Sequence, residues 1–228
     1  QRKQTYKMYN IKIDENFKKL CITFRGAMIL AKIKNTESSE ALWEEIKQEE
    51  NKLLDSYTTE SIKGRSGIAA TRQAYKQFGK DPSRYRPACE QLARRVLQGK
   101  GLYHVNTVVD ILNLVSLASG YSTAALDAAH IVGNNITLGI GRAGEPYEGI
   151  GRGVLNIEHL PAYRDEMGAF ATPTSDSTRT MLALDSTLLL VIINGYDGDE
   201  MSLKQAADYT QRLLKDYAEG CDFEVAYY

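Results

Sequence analysis

The stretch VNTVVDILNLVSLASG, residues 105 to 120, constrains the fold more than any other part of the chain. Its aliphatic side chains point in every direction around a helix, and a helix that is apolar on all sides must lie inside the protein. Yet Asp110, Asn113 and Ser116 recur within it at intervals of three. A buried carboxylate, amide or hydroxyl needs a partner or a polar cavity. At about 100° per residue, Asn113 and Ser116 fall within roughly 60° of each other, so both are expected to face one cavity. Asp110 has a structural alternative, because Thr107 to Asp110 reads T-x-x-D, a capping arrangement at a helix start.

A helix of this kind needs a large core around it. With 228 residues, 43% of them hydrophobic, the chain can build one, and a single domain over 1–228 is expected. The three cysteines, Cys21, Cys89 and Cys221, are far apart and form no CxxC pair. Neither a disulfide framework nor a zinc site is expected, and a reducing, cytoplasmic setting fits best. His104, His130 and His159 have no HxH or HExxH spacing, and no serine sits in a GxSxG elbow, so no metal or cofactor is expected. The start QRKQTYKMYN has no apolar signal region, and the run TLLLVII at 187–193 is too short to span a bilayer; a soluble protein is expected. GIGRAG at 139–144 matches GxGxxG, but Pro146 and further glycines follow it. No helix can start there to receive a pyrophosphate, so tight turns between strands explain these glycines.

Along the chain, 21–35 reads as a strand and 38–57 as a helix built on Leu42, Ile46, Leu53 and Leu54, with Trp43 packing inward. A helix near 66–78 stops at Gly79, and Pro87 opens another that runs to Gly99. Strands are expected at 134–140, 161–165, 167–173 and 186–193, then a helix at about 200–218 and a strand in CDFEVAYY. There is no regular βαβ alternation, and the class is α+β.

The net charge of −1 conceals a basic block. Residues 63–100 hold ten cations against Asp81 and Glu90, a local +8. Such a block is either a pair of solvated helix faces, with Glu90 supporting Arg94 at i, i+4, or a footprint for a phosphate backbone. Arg94 and Arg95 are expected towards solvent.

From DPSRYRP to GRAGEPYEG, the sequence resembles the B3/B4 domain of the phenylalanyl-tRNA synthetase beta chain, particularly its stand-alone homologues. The likeness is carried by Arg94-Arg95, the VDxxN motif at Val109, Asp110 and Asn113, then Asp127 and the GE pair Gly144-Glu145. It is clearest over about 80–165, with 1–80 read as a strand and helix extension packed on that domain. The resemblance implies a layered fold with a mixed β-sheet core and flanking helices. It also implies hydrolysis of the ester of mischarged aminoacyl-tRNA, where a pocket must recognise an additional hydroxyl that an apolar pocket rejects poorly.

Carried over, the family's pocket Asn corresponds to Asn113, and its glycine turn to Gly149 or Gly151. The family's frequent His falls at Ala124, and its Gly-Gly-Glu loop at TPTSD, so Thr174 or Asp176 stands in. On this reading Asn113 and Ser116 orient the aminoacyl group, Thr172, Thr174 and Asp176 form the opposite wall, and Asp176 is the nearby candidate catalytic group. The departures favour a hydroxylated residue such as serine as well as tyrosine. Arg65, Arg72, Lys76, Arg84, Arg86, Arg94, Arg95 and Lys100 would hold the acceptor end of the tRNA. The competing expectation is a non-catalytic tRNA or amino-acid binding module.

Overall fold

The structure is a computed structural model and describes residues 6–228; residues 1–5, the start of QRKQTYKMYN, lie outside the described residues. The elements in chain order are β1 (Asn10–Ile13), α1 (Glu15–Leu20), β2 (Arg25–Lys32), α2 (Glu40–Ser56), α3 (Ser66–Phe78), α4 (Ala88–Leu97) and α5 (Thr107–Ser119). Then follow β3 (Ser122–Asp127), β4 (Asn135–Ile140), β5 (Glu148–Gly149), β6 (Gly153–Val154), β7 (Pro161–Asp165), β8 (Gly168–Ala171), β9 (Leu188–Gly195), α6 (Glu200–Tyr217) and β10 (Cys221–Tyr227). The class is α+β, as expected. The short pair β1 and α1 had no counterpart in the sequence reading.

Two four-stranded sheets pack face to face, and helices cover one of them. The inner sheet has the order β10-β2-β9-β3 and is antiparallel throughout. The outer sheet has the order β1-β4-β7-β8 and is mixed, because β1 runs parallel to β4. β2 and β9 pair over their full length, Arg25 with Gly195 through Lys32 with Leu188. Alternate side chains point to opposite faces of a strand. Ile29, Val191 and Ile193 therefore enter the helix-side core with α2, α4, α5 and α6, whereas Met28, Leu30, Leu190 and Ile192 enter the core between the sheets. Both faces being buried, these strands read as continuous apolar runs rather than alternating ones.

α5 is the buried helix its composition demands, with Ile111, Leu114 and Val115 fully buried in the helix-side core. Its cap is Asn106, whose side chain accepts the Val109 amide at 3.0 Å. Asp110 reaches back to accept the Val105 amide at 3.0 Å and the Ser38 hydroxyl. The structural role of Asp110 stands, although the cap lies one residue before Thr107. In α2, Leu42, Ile46 and Leu53 are buried but Leu54 is exposed. The GIGRAG stretch continues β4 into a turn. A Cβ on Gly141 would lie 1.8 Å from the Ile157 carbonyl, so the glycine is needed for close approach of two backbones.

The basic block is organised around one buried acid. The Glu90 side chain is fully buried on α4 and bonds Arg72 of α3 and Arg94, both at 2.8 Å, with Arg86 at 3.7 Å. Arg72 also donates to the Pro82 carbonyl and Ser83, and Arg94 to the Thr59 carbonyl. Removing one partner from a buried charge cluster leaves the others uncompensated. Glu90→Ala is expected to destabilise the protein by about 3 kcal/mol, read from the midpoint of urea unfolding.

Candidate functional site

The segment after β8, Thr172 to Asp176, lies against the β5–β6 hairpin and the start of α4. Long-range contacts hold it. The Ala88 amide donates to the Pro173 carbonyl at 2.8 Å, and the Ile150 amide to the Asp176 carbonyl at 3.0 Å. The Tyr147 hydroxyl donates to the Ser175 carbonyl at 2.7 Å. Gly149 forms a bridge with Ser177, and a Cβ there would meet the Ser175 hydroxyl at 3.1 Å. Gly149 thus belongs to the site by backbone proximity. Gly151, at φ 68°, turns the hairpin tip with open space around it.

The hydroxyls of this segment are spent on shaping it. Thr172 Oγ1 donates to the Ser175 carbonyl at 2.8 Å and accepts the amides of Thr174 and Ser175. Thr174 Oγ1 bonds the Tyr75 hydroxyl at 2.8 Å and the Tyr85 carbonyl at 3.0 Å. Thr172 and Thr174 are therefore framework residues rather than a wall of free donors. The Asp176 carboxyl, in contrast, has no hydrogen bond or ion pair among the described residues, and the residue is half-buried. Desolvation pushes it up to about 8. Nearby Tyr147 is raised too, first by its burial and then by the Asp176 charge.

Beside this segment runs an open groove of about 510 Å³, with Tyr147, Met167, Ser177 and Arg179 in its lining. Arg179 is held there by a two-pronged bond to Asp165, at 2.9 and 2.8 Å. Burial alone would raise Asp165, but the bonds from Arg179 and from the Val132 and Met167 amides outweigh it and hold the carboxyl below its ordinary value. The groove falls in the size range of small-molecule sites. The lining includes Ser177 but not Asp176, whose half-buried carboxyl is one residue back along the chain; a carboxyl titrating near neutrality is suited to proton transfer.

α5 contributes differently from expectation. The Ser116 hydroxyl donates to the Tyr121 carbonyl at 2.7 Å, and the residue is 1% exposed. It closes the turn after the helix and does not face a cavity, because that turn places the Tyr121 carbonyl within its reach. Asn113 is half-buried, with no hydrogen bond to its amide among the described residues. No hydrogen bond joins Asn113 or Ser116 to the 172–176 segment. Ala124 is packed in the core between the sheets.

Several cations expected to form a footprint are occupied. Arg65 donates to the Leu117 and Ala118 carbonyls at the end of α5, where a cation complements the helix dipole. Arg72 and Arg94 serve Glu90, and Arg86 lies beside it. Arg94 and Arg95 are half-buried rather than directed wholly to solvent, Arg95 lying 3.9 Å above the Tyr103 ring. Lys76, Arg84 and Lys100 are exposed. The sequence reading passed over Arg152, at the hairpin tip, which donates to Gln91 Oε1 at 2.6 Å, while Gln91 Nε2 reaches the Thr174 carbonyl at 3.3 Å. It also passed over Tyr75 and Tyr147, which only their distant partners mark as part of the site.

Two packed sheets, a helical cover and an open groove next to the 172–176 segment define a small α+β domain with a candidate ligand site. The sequence pattern of the B3/4 domain family matches residues 70–219, about two thirds of the chain, and the chain belongs to that family. Among solved structures, it resembles an N-terminal fragment of the phenylalanyl-tRNA synthetase beta-subunit from Pyrococcus horikoshii. The two share 12% identity with a TM-score of 0.47, over 96% of this chain and 52% of that one. The chain thus spans about half the length of that fragment. None of the curated proteins matches it. Among the described residues, no helix is long and apolar enough to cross a membrane, and no group of three or more His, Cys, Asp or Glu could hold a metal ion.

Asp176 also predicts a pH dependence of stability. Its carboxyl titrates at 3.8 ordinarily and near 8 in the fold. Between these values the folded state binds the extra proton, so this group's contribution to stability falls as pH rises from about 4 to 8. Asp176→Asn is expected to remove that decline and to be more stable than the parent at pH 8. Urea midpoints across this range provide the check, and parallel curves for the two proteins would contradict it.

Proposed function

We propose that the chain is a tRNA-binding editing domain that hydrolyses the ester of a mischarged aminoacyl-tRNA in trans, with an amino acid bearing a hydroxyl, such as tyrosine or serine, as cargo. The observation that carries this reading is the Asp176 carboxyl, unpartnered and pushed towards neutrality, one residue before Ser177 in the lining of a groove large enough for an aminoacyl group. Membership of the B3/4 family supports it.

In the reaction, water adds to the ester carbonyl, the tetrahedral oxyanion collapses, and the ribose oxygen leaves with a proton. Asp176 in its carboxylate form accepts the proton of the attacking water and, once protonated, returns it to the leaving oxygen. Arg179, fixed by Asp165 on the groove wall, is a cation near which negative charge on the oxyanion would be favoured. The exposed Lys76, Arg84 and Arg152 lie on the elements that frame the site and would receive phosphates of the acceptor end.

A specific observation favours a second reading, a binding module without turnover: Thr172, Thr174 and Ser116 all have their hydroxyls committed to the framework. One experiment separates the two. The purified protein is incubated with a panel of mischarged and correctly charged tRNAs, and deacylation is followed. Under the editing reading, Asp176→Asn is expected to lose about 10²- to 10⁴-fold in rate, the usual contribution of a general acid or base, while binding the same tRNA. Saturable binding with no turnover in the parent would favour the module.

A further inference from the structure

At the opposite end of α4 from the 172–176 segment lies a cleft of about 310 Å³ between α2 and the loop that enters α5. Trp43 of α2 is stacked on His104 of the loop, with ring centroids 3.5 Å apart and planes 14° from parallel. Beside them the Arg95 guanidinium lies 3.9 Å above the Tyr103 ring. Tyr103 is still 52% exposed, so the residue is open to solvent. Lys47 and Lys100 line the same cleft, are exposed, and form no ion pair or hydrogen bond among the described residues. Arg95 Nε is buried without a partner among the described residues.

The one acid in the lining is already engaged. Glu50 accepts the Leu102 amide at 2.7 Å, which ties the loop to α2. The Val105 amide is tied to Asp110 on the other side. Gly99 and Gly101, at φ 76° and 65°, supply the backbone turns that lead from α4 into this loop. The loop is thus pinned at two points, and its aromatic rings are held in place before any ligand arrives.

Exposed flat rings backed by cations, with further unpaired cations at the rim, match a base joined to a phosphate. Bases stack on aromatic faces and on guanidinium planes, and lysines neutralise the backbone. A paired base inside a duplex offers no free face, so the partner must be unpaired. We infer that the Trp43–His104 and Arg95–Tyr103 cleft binds an unpaired nucleotide of a single-stranded nucleic acid. The helix α4, ten residues or about 15 Å long, separates this cleft from the candidate hydrolytic site. The inference goes beyond the proposed deacylation and does not depend on it.

Trp43 is the single tryptophan of the chain, so fluorescence excited selectively at tryptophan reports on this cleft. Titrating the full chain with a single-stranded RNA oligonucleotide is expected to quench it saturably. Tyr103→Ala is expected to weaken binding about tenfold to a hundredfold, and Tyr103→Phe, which keeps the ring, to bind like the parent. Lys47→Ala and Lys100→Ala are each expected to lower the slope of log affinity against log salt by about 0.7. Circular dichroism establishes that each variant is folded. Equal affinity for an oligonucleotide of the same length lacking bases, or for inorganic polyphosphate, would overturn the inference, as would unchanged binding by folded Tyr103→Ala. Deacylation is measured separately, so loss of one activity does not decide the other.

Discussion

The pairing of β2 with β9 is the interaction on which the rest of the fold depends. These two strands lie at the centre of the inner sheet, and their side chains supply both the helix-side core and the core between the sheets. Fully burying a Val, Leu or Ile side chain contributes roughly 1.5–3 kcal/mol, and this pair contributes such residues to both faces. The family match begins at residue 70, within α3, so it contains β9 and β3 but not β2 or β10. A strand apolar on both faces cannot leave one edge open without inviting non-native pairing. The residues before 70 supply the missing neighbour, and β10 then covers the far edge of β2.

Elements whose signal is local were legible in the sequence. α3 was read with its closing glycine, Gly79, which has positive φ, and α5 from an aliphatic stretch apolar on all sides. β2 and β9 followed from their aliphatic runs. Charge was less legible because a count of cations does not say which are neutralised. One glutamate, Glu90, gathers arginines from separate parts of the chain, and Arg65 caps a helix some fifty residues away. The i, i+4 spacing to Arg94 pointed to Glu90, but Arg72, eighteen residues earlier, could be assigned to it only in three dimensions.

The candidate site was legible as a segment but not as a set of roles. Ser, Thr and Asp in TPTSD are equally fit to shape a turn or to bind a ligand. What separates them is the destination of each hydrogen bond, and those destinations are Tyr75, Tyr85 and Ser175. After that accounting Asp176 alone is left with an uncommitted side chain. Ser116 failed for the same reason in reverse: its partner is a backbone carbonyl five residues on, and a helical projection represents only side-chain directions.

α4 connects these features mechanically. Its first residue is bonded to the Pro173 carbonyl, and Gln91 on its next turn holds both Thr174 and Arg152. Its last turn carries Arg95, and the loop that follows carries Tyr103 and His104. Glu90 fastens the helix to α3 between these two ends. A helix is stiff along its axis over ten residues, so the separation between the carboxyl site and the aromatic cleft is set by its length and by that one anchor. Disturbing Glu90 would therefore change more than stability, because it frees both ends of the element that holds the two sites in register.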